Sequence, residues 1–485
     1  MHTTIYAIAE SPRNHELIWV GTDDGNIQVT RDGGKSWRNV VGNIKGLPKT
    51  AWISSIEPSH FDEGTAYVTV DYHMVGDMRP YAFKTTDLGL TWSQIVPLDN
   101  GAVRGYAHVI KEDLVNKDLL FLGSEFGLWV TIDGGRHWAQ YKGGDLPNVA
   151  VDDLAIHPRD HDLVIATHGR GIWIVDDITP LGSLTTAIFD REIAFMPSRP
   201  TAQRIPAWGG WAYGDATFLG PNPPNQAVIT YYQKTRHIFG DLKMEVFDQQ
   251  GNSLGIIPSS KRRGLNRALW SMRLRAPRVP SGATGISAGS YGPRVVPGTY
   301  TVKLTKDKNL YTTSLTVTAD PRTGHSAEDR KLQFDLMMRI YALLERMAFV
   351  TDQVSEVRSM LADRAAKLPS SNALAARLHA SAVQADAFRS RIVATKEGGM
   401  ITGEERLREF ASDLYGGLSR YEGRPTQTQI DRADALSKEM ADLEREINTW
   451  AEKDLRAINT ALETQHMDPI RLLAHDEWDQ RTRKK

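Results

Sequence analysis

Seven polar side chains in the N-terminal part of the chain are of types that bind ligands or do chemistry, and they fall in four short turns. The turns read "TDDG", "VDYHMVGDMRPY", "SEFG" and "THGRG". The candidate ligand-binding residues in them are Asp23, Asp71, His73, Arg79, Glu125, His168 and Arg170. Carboxylate, imidazole and guanidinium groups gathered on one surface can hold a polar ligand. Asp, His and Gly are also ordinary turn formers, so a solvated turn is the alternative explanation for each residue alone.

The turn with His168 and Arg170 has the composition most typical of a binding loop. The segment "ATHGRG" ends an apolar run and places an imidazole and a cation beside two glycines. Glycine lets the backbone approach a ligand closely, and an imidazole can donate or accept a hydrogen bond. This turn therefore carries the strongest binding signal of the four.

Two hydrolytic sites are also conceivable from these residues. The usual glycosidase needs two carboxyl groups about 5 to 10 Å apart, and Asp23, Asp71 and Glu125 are the candidates. A sialidase-type site would need three arginines around a carboxylate and a tyrosine nucleophile. Its candidates are Arg79, Arg104 and Arg170 with Tyr72, Tyr81 or Tyr106. We predict no metal or cofactor, because Asp71, His73 and Asp77 lack diagnostic ligand spacing.

The composition of the chain excludes several classes of protein. Its 485 residues include 58 basic and 59 acidic side chains, so no global charge favours nucleic acid as a partner. Cysteine is absent, which removes disulfides, thiolate metal sites and cysteine nucleophiles. No apolar run approaches the roughly 18 to 20 residues that cross a bilayer, so no membrane span is predicted.

The candidate turns belong to a fourfold repeat of short β-rich runs. The first unit reads "IYAIAESP", "LIWVGTDDG", "NIQVTRDGG" and "KSWRNVV", and three related units follow it. Asp32, Asp87 and Asp133 mark the first three units, 55 and 46 residues apart. Four short strands repeated at about 45 residues are typical of a propeller blade. The sequence therefore predicts β-propeller blades over residues 1–185.

Three turns between the third and fourth strands share the pattern T-x-D-x-G-x-x-W: "TRDGGKSW" (30–37), "TTDLGLTW" (85–92) and "TIDGGRHW" (131–138). In each, the carboxylate can accept backbone N–H bonds and the glycine can take a positive φ. We expect structural roles for Asp32, Gly34, Trp37, Asp87, Gly89, Trp92, Asp133, Gly135 and Trp138. Turns between the second and third strands project from the opposite face, so that face is the predicted ligand site.

The repeats resemble a known family. The three turns match the Asp-box, or BNR repeat, of sialidase-like and sortilin-like propellers, and "IWVGTDDGNIQVTRDGGKSW" and "DLVIATHGRGIWIVDDITPL" resemble the C-terminal blades of large bacterial members. The resemblance implies that further blades lie upstream in the parent chain or in a partner. It also implies export, to the periplasm or the outside of the cell, for a parent with a signal peptide. Members are often labelled glycosyl hydrolases on the repeat alone.

The rest of the chain changes character twice. A Pro- and Gly-rich stretch predicts a linker and loop over 186–224, and alternating runs predict an immunoglobulin-like β-sandwich over 225–320. A helical bundle is predicted over 326–465, with a capping box at Ser326 and Asp329. Its first helix carries a coiled-coil-like heptad seam: Leu336, Ile340, Leu343, Met347, Val350, Val354, Val357 and Leu361. The fold class is thus mainly β with an α-helical C-terminal part.

These observations leave two functional hypotheses. The first is a non-catalytic binding or scaffold propeller that takes a glycan or a peptide or protein ligand on the face opposite the Asp-boxes. The second is a glycosyl hydrolase, either sialidase-like or of the two-carboxylate kind. They differ in whether two carboxyl groups, one with a raised pKa, converge on one cleft.

Overall fold

The computed structural model describes residues 4–99, 101–205, 214, 216, 220, 222–398 and 403–483. The chain forms two compact units. The first comprises Met1–Arg199, Thr230–Ile238 and Lys261–Asn266, and the second comprises Pro200–Ile229, Phe239–Ser260 and Arg267–Lys485. Within the predicted linker, residues 206–213, 215, 217–219 and 221 lie outside the described part of the chain.

Four consecutive antiparallel sheets make up most of the first unit, and in each the strands pair in chain order. The first sheet is β1 (Ile5–Ser11), β2 (Asn14–Thr22), β3 (Ile27–Thr30) and β4 (Arg38–Asn39). The second is β5 (Trp52–Pro58), β6 (Ala66–Asp71), β7 (Tyr81–Thr85) and β8 (Ser93–Gln94). The third is β9 (Ala107–Glu112), β10 (Leu120–Ser124), β11 (Gly127–Thr131) and β12 (Ala139–Gln140). The fourth is β13 (Val151–Ile156), β14 (Leu163–Thr167) and β15 (Ile172–Val175).

The first strands of successive sheets lie side by side: β1 contacts β5, β5 contacts β9, and β9 contacts β13. Apolar clusters fill the spaces between neighbouring sheets, for example Trp19 with Ile53 and Phe121 with Leu154. This is the layout of propeller blades around an axis, so the first unit has a propeller-like fold. The described strands do not show a closed ring.

The two outermost sheets of this arrangement expose apolar side chains. On β1, Ile5 and Ile8 are 59% and 71% exposed, and on β15, Ile172 and Ile174 are 73% and 59% exposed. The fourth sheet also ends at β15, whereas each of the other three has a short fourth strand.

Two short helices, α1 (Thr179–Gly182) and α2 (Thr186–Phe189), follow the fourth sheet. Strand β16 (Ile193–Phe195) then pairs antiparallel with the C-terminal half of β18 (Ala227–Gln233). Residues of β18, and of β21 (Gly264–Trp270), divide between the two units.

The β part of the second unit is a five-stranded sheet in the order β17, β23, β22, β19, β20. Its strands are β17 (Thr201–Gln203), β19 (Leu242–Phe247), β20 (Ser253–Ile257), β22 (Gly298–Lys306) and β23 (Asn309–Ala319). All neighbours in it are antiparallel except β17 and β23. Alternation along β22 buries Tyr300, Val302 and Leu304 on one face.

The helical part begins with α3 (Ala327–Ala365), and the capping box at Ser326 and Asp329 is confirmed. All eight side chains of the heptad seam are buried, because α4, α5 and α6 pack against α3. These helices are α4 (Ala373–Ile392), α5 (Leu407–Ser419) and α6 (Gln427–Trp450). A π-helical turn at Ala451–Leu455 leads from α6 into α7 (Arg456–Thr464). The last helix, α8 (His475–Arg483), lies beyond the range predicted for the bundle.

Candidate functional site

A groove of about 730 Å³ opens in the first unit where β6 and β14 end. We call it the axial groove, because its walls come from the first strands β1, β5, β9 and β13. It is defined by nine aromatic, imidazole and carboxylate side chains: Tyr6, Trp52, Tyr106, His73, His108, His168, Asp71, Asp152 and Asp153. Among the described residues that line it there is no lysine or arginine.

A buried carboxylate joins two imidazoles at the centre of the axial groove. Asp71, at the end of β6, has no exposed side-chain surface. Its Oδ1 lies 2.6 Å from His73 Nδ1 and accepts the His73 N–H at 3.0 Å, and its Oδ2 lies 3.0 Å from His108 Nδ1. Burial raises the pKa of Asp71, but the hydrogen bonds from His108 and His73 outweigh burial and lower the pKa overall. The carboxylate thus orients both rings through their Nδ1 atoms.

Aromatic rings form the walls on either side of this carboxylate. Tyr106 stacks on His73 with ring centroids 4.4 Å apart, and Tyr6 meets Trp52 edge to face at 4.4 Å. Trp52 in turn lies edge to face with His108 at 5.7 Å. Burial raises the pKa of Tyr6, and the charges of Asp152, Asp71 and Asp153 raise it further. The groove therefore combines π faces with a negative electrostatic potential.

A β-bulge near the start of each first strand places a side chain in the groove. The pairing skips Tyr6 in β1, Ser54 in β5, His108 in β9 and Asp152 in β13. Each skipped residue is extra relative to the partner strand, and all four line the groove. A bulge turns a side chain away from the regular alternation of a strand. The repeated bulge is the backbone feature that builds this site.

The structure brings three of the seven predicted residues together. Asp71, His73 and His168 line the axial groove, and His168 Nδ1 lies 3.5 Å from Asp152 Oδ2. Asp23, Arg79, Glu125 and Arg170 lie in the same set of turns but do not line it. A binding role for these residues stays a prediction.

The predicted residues outside the groove have local contacts. The Asp23 Oδ1 atom accepts the Thr4 N–H at 2.9 Å. Arg79 forms a two-pronged ion pair with Asp77, with N···O distances of 2.9 and 2.6 Å. That pair, together with a hydrogen bond from Tyr81, lowers the pKa of Asp77 to about 2. The carbonyl of Arg170 accepts the indole N–H of Trp173 at 3.1 Å.

The four turns that hold the predicted residues can be aligned by their strand pairing. Strand pairing makes Asp71 equivalent to Thr22, Ser124 and Thr167, because each pairs with the first residue of its own first strand. Asp23, Glu125 and His168 follow one position later, and their N–H groups bond to Thr4, Tyr106 and Ala150. Asp71 is therefore the carboxylate that replaces a hydroxyl residue of the other repeats.

Sequence reasoning missed most of the groove. Tyr6, Trp52, His108, Asp152 and Asp153 come from the first strands, and Tyr106, which the sequence offered only as a sialidase-type nucleophile, comes just before β9. The available signal was a polar residue that interrupts an apolar run, as in "AHVI" and "VDDLAI".

The three turns at 30–37, 85–92 and 131–138, which we call the Asp turns, share one hydrogen-bond pattern. Asp133 Oδ1 accepts from the Thr131 hydroxyl at 2.8 Å and from the His137 N–H at 2.9 Å. Asp32 and Asp87 make the equivalent pairs. Each turn also bonds to the backbone close to the start of the second strand of its sheet, as Gly134 does to Asp118. The Asp turns thus lie at the opposite end of the sheets from the axial groove.

One buried carboxyl group has a raised pKa, and it also lies at the Asp-turn end. Glu112, the last residue of β9, is 1% exposed, and burial raises its pKa. Its oxygens accept hydrogen bonds from Ser59, His60 and Tyr67 at 2.7 to 3.0 Å. The carboxyl group is thus hydrogen-bonded within the protein and does not line the axial groove.

The described part of the chain contains neither a metal-binding cluster nor a membrane-spanning helix. No group of three or more His, Asp or Glu side chains there is arranged to hold a metal ion. No helix in that part of the chain is long and apolar enough to span a membrane.

No family model matches the chain, and no curated protein matches it. Several solved structures are similar to parts of it. YCF48 bound to D1 peptide is 20% identical with a TM-score of 0.28, covering 36% of this chain and 52% of that one. An ancestral GH74 enzyme is 14% identical with a TM-score of 0.30, covering 64% and 39%. PorZ of Porphyromonas gingivalis is 14% identical with a TM-score of 0.23, covering 64% and 51%. The chain thus spans about half or less of the length of each.

Proposed function

We propose that the first unit is a non-catalytic binding module and that its ligand, a glycan or a peptide, binds in the axial groove. The observation that carries this is the pair of imidazoles fixed by Asp71 between aromatic walls. Rings held by packing and by a buried carboxylate offer preformed contact area and hydrogen-bonding atoms, which limits the entropy lost on binding. Propellers build sites in this manner, from first-strand and turn residues of several blades.

The same geometry favours binding over glycoside hydrolysis. A general acid needs a carboxyl group with a raised pKa beside the scissile bond, and a second carboxyl group across from it. Asp71 has a lowered pKa and both of its oxygens engaged by imidazoles. Glu112 has a raised pKa but is buried at the other end of the sheets. Of the three carboxyl groups that the sequence offered, only Asp71 lines the groove; the other two carboxylates there, Asp152 and Asp153, are consecutive residues of one strand.

The proposal for the whole chain also starts from the first unit. We propose that the chain is the C-terminal portion of an exported bacterial BNR-repeat protein, with blades over 1–185 and a linker over 186–224. In this assignment an immunoglobulin-like sandwich over 225–320 and a helical bundle over 326–465 follow the blades along the chain. The exposed isoleucines of β1 and β15 support further blades at either end, in the parent chain or in a partner.

The test is a glycan and peptide binding screen on the full chain and on Tyr6→Ala. Tyr6 is 48% exposed, so its truncation should leave the fold intact while removing one aromatic wall. We expect affinity for any bound ligand to fall roughly tenfold. The matched control is Trp37→Ala in the first Asp turn, which is 44% exposed and should bind normally. Equal loss in both variants, or turnover of a bound glycan, would contradict the proposal.

A further inference from the structure

A glycan or peptide site need not be acidic, but the described lining of the axial groove has carboxylates and lacks permanent positive charges. Three carboxylates, from Asp71, Asp152 and Asp153, line it together with Tyr6 and Tyr106. No described lining residue carries a permanent positive charge. The whole chain, by contrast, is nearly neutral, with 58 basic and 59 acidic residues.

The carboxylates differ in how far other groups of the protein engage their oxygens. Both oxygens of Asp71 are engaged by His73 and His108. Asp152 has 40% of its side chain exposed, and its Oδ2 lies 3.5 Å from Nδ1 of His168, whose side chain is itself 82% exposed. Asp152 therefore has open surface with which to accept hydrogen bonds from a ligand.

The tyrosines of the groove lie within the field of these carboxylates. The charges of Asp152, Asp71 and Asp153 raise the pKa of Tyr6 beyond what burial does. Those of Asp71, Asp152 and Glu125 act in the same direction on Tyr106, where burial is again the largest cause. Two rings at different first strands are thus exposed to a negative potential across the groove. A cation placed there would be stabilised both by the carboxylates and by the π faces of the rings.

The groove also extends along the strands. A second cavity, of about 330 Å³, continues it towards the Asp-turn end and shares Ile8, Ser55, Ile56, Val109 and Asp153 with it. In that cavity Lys111 is paired with Glu57 at 2.8 Å, while Glu10 adds one further acidic group. An elongated acidic channel between strands fits an extended chain better than a branched one.

Building on the function proposed above, we infer that the ligand of the axial groove is an extended basic peptide, with an arginine or lysine side chain held by Asp152 and Asp153 among the aromatic rings. The guanidinium or ammonium group would donate hydrogen bonds to these carboxylates and lie against Tyr6. The peptide backbone would follow the first strands into the second cavity.

The experiment measures binding of an acetylated, amidated Ala-Arg-Ala-Arg-Ala peptide to the full chain by calorimetry. Its matched probe carries citrulline in place of arginine, which keeps the shape and removes the charge. Two further probes are a chitosan tetramer and a neutral cello-oligosaccharide. We expect the arginine peptide to bind at least roughly tenfold more tightly than the citrulline peptide, with affinity that weakens as salt rises.

The variants are Asp152→Asn, in the groove, and Glu63→Gln, an exposed carboxyl group between β5 and β6 near the Asp-turn end. We expect the first to lose roughly tenfold in arginine-peptide affinity and the second to bind like the unaltered chain. Equal binding of arginine and citrulline peptides, or no binding of the arginine peptide, overturns the inference. Binding of chitosan alone overturns the assignment to a peptide.

The same experiment separates two outcomes: the groove does not bind a basic peptide, or the groove is not a binding site. If the citrulline peptide or the neutral oligosaccharide binds and Tyr6→Ala weakens it, the axial groove is a binding site but not for a cation. If a probe binds and Tyr6→Ala has no effect, the groove itself is not the site, and both proposals fall.

Discussion

At the scale of single residues, Asp71 couples a turn and two strands that are distant in sequence. It lies 37 residues from His108, yet its two oxygens hold the rings of His73 and His108 in the groove. A buried carboxylate with several donors is costly to replace, because each donor left without an acceptor loses its hydrogen bond while staying out of water.

Replacement of Asp71 by asparagine should therefore destabilise the first unit at pH 7, by about 1 to 3 kcal/mol in the free energy of unfolding. The folded-state pKa of Asp71 is lowered, so its charge stabilises the fold above the unfolded pKa of about 3.9. That contribution is lost as the pH falls through the lower folded-state pKa. The difference in stability between the unaltered chain and the D71N chain should consequently be full at pH 7 and shrink below about pH 4.

Urea unfolding of the unaltered and D71N chains at a series of pH values measures this difference. Glu63→Gln serves as the control, because Glu63 is exposed and its replacement should leave the unfolding curve unchanged. A D71N chain as stable as the unaltered one at pH 7 would show that the imidazole pair does not depend on the carboxylate.

At the scale of elements, the Asp turns share one hydrogen-bond pattern but pack against different surroundings. Gly34, Gly89 and Gly135 all have positive φ, at 93°, 80° and 98°. A Cβ atom on Gly135 would lie 2.9 Å from the Cβ of Ile95, the residue that follows β8 of the preceding sheet, whereas one on Gly34 would meet nothing closer than 3.8 Å. The glycine of the third turn therefore packs against the preceding repeat, and the glycine of the first turn has no such neighbour.

Gly135→Ala should accordingly destabilise the protein more than Gly34→Ala. Both variants have a strained backbone, at a cost of roughly 1 kcal/mol, but only the former adds a clash that Ile95 must relieve, at about 1 to 3 kcal/mol more. Thermal unfolding of the two single variants provides the comparison, and ligand affinity should be unchanged in both. Equal melting temperatures would mean that Ile95 can move away from the added methyl group without loss of stability.

Much of the element pattern could be predicted from the sequence, and the reason is periodicity. Apolar alternation and turn residues in the repeats indicate strands, and the heptad seam from Leu336 to Leu361 indicates a buried helix face. The bulges could not be predicted in this way. A single extra residue, such as His108 or Asp152, changes which face a side chain takes without changing the composition of its strand. The pairing of Asp71 with His108 depends on packing between sheets, which local patterns do not encode.

At the scale of the whole molecule, the outermost sheets of the first unit carry apolar side chains on the surface. Ile5 of β1 and Ile174 of β15 are each 59% exposed, and β15 is the edge of a three-stranded sheet. Inner faces of neighbouring sheets in this unit are packed with the same residue types. Exposed apolar surface on a sheet edge promotes association with other chains.

We therefore expect the chain to self-associate as its concentration rises, and a charge on either outer face should oppose this. Ile5→Asp and Ile174→Asp each remove an apolar contact and add repulsion, so each should shift sedimentation profiles towards monomer. Val115→Asp is the matched control: Val115 is 67% exposed but lies in the turn between β9 and β10, which belongs to neither outer sheet. If the control dissociates the assemblies as well as Ile5→Asp and Ile174→Asp do, or if the unaltered chain stays monomeric at all concentrations, then the outer sheets are not faces that further sheets cover.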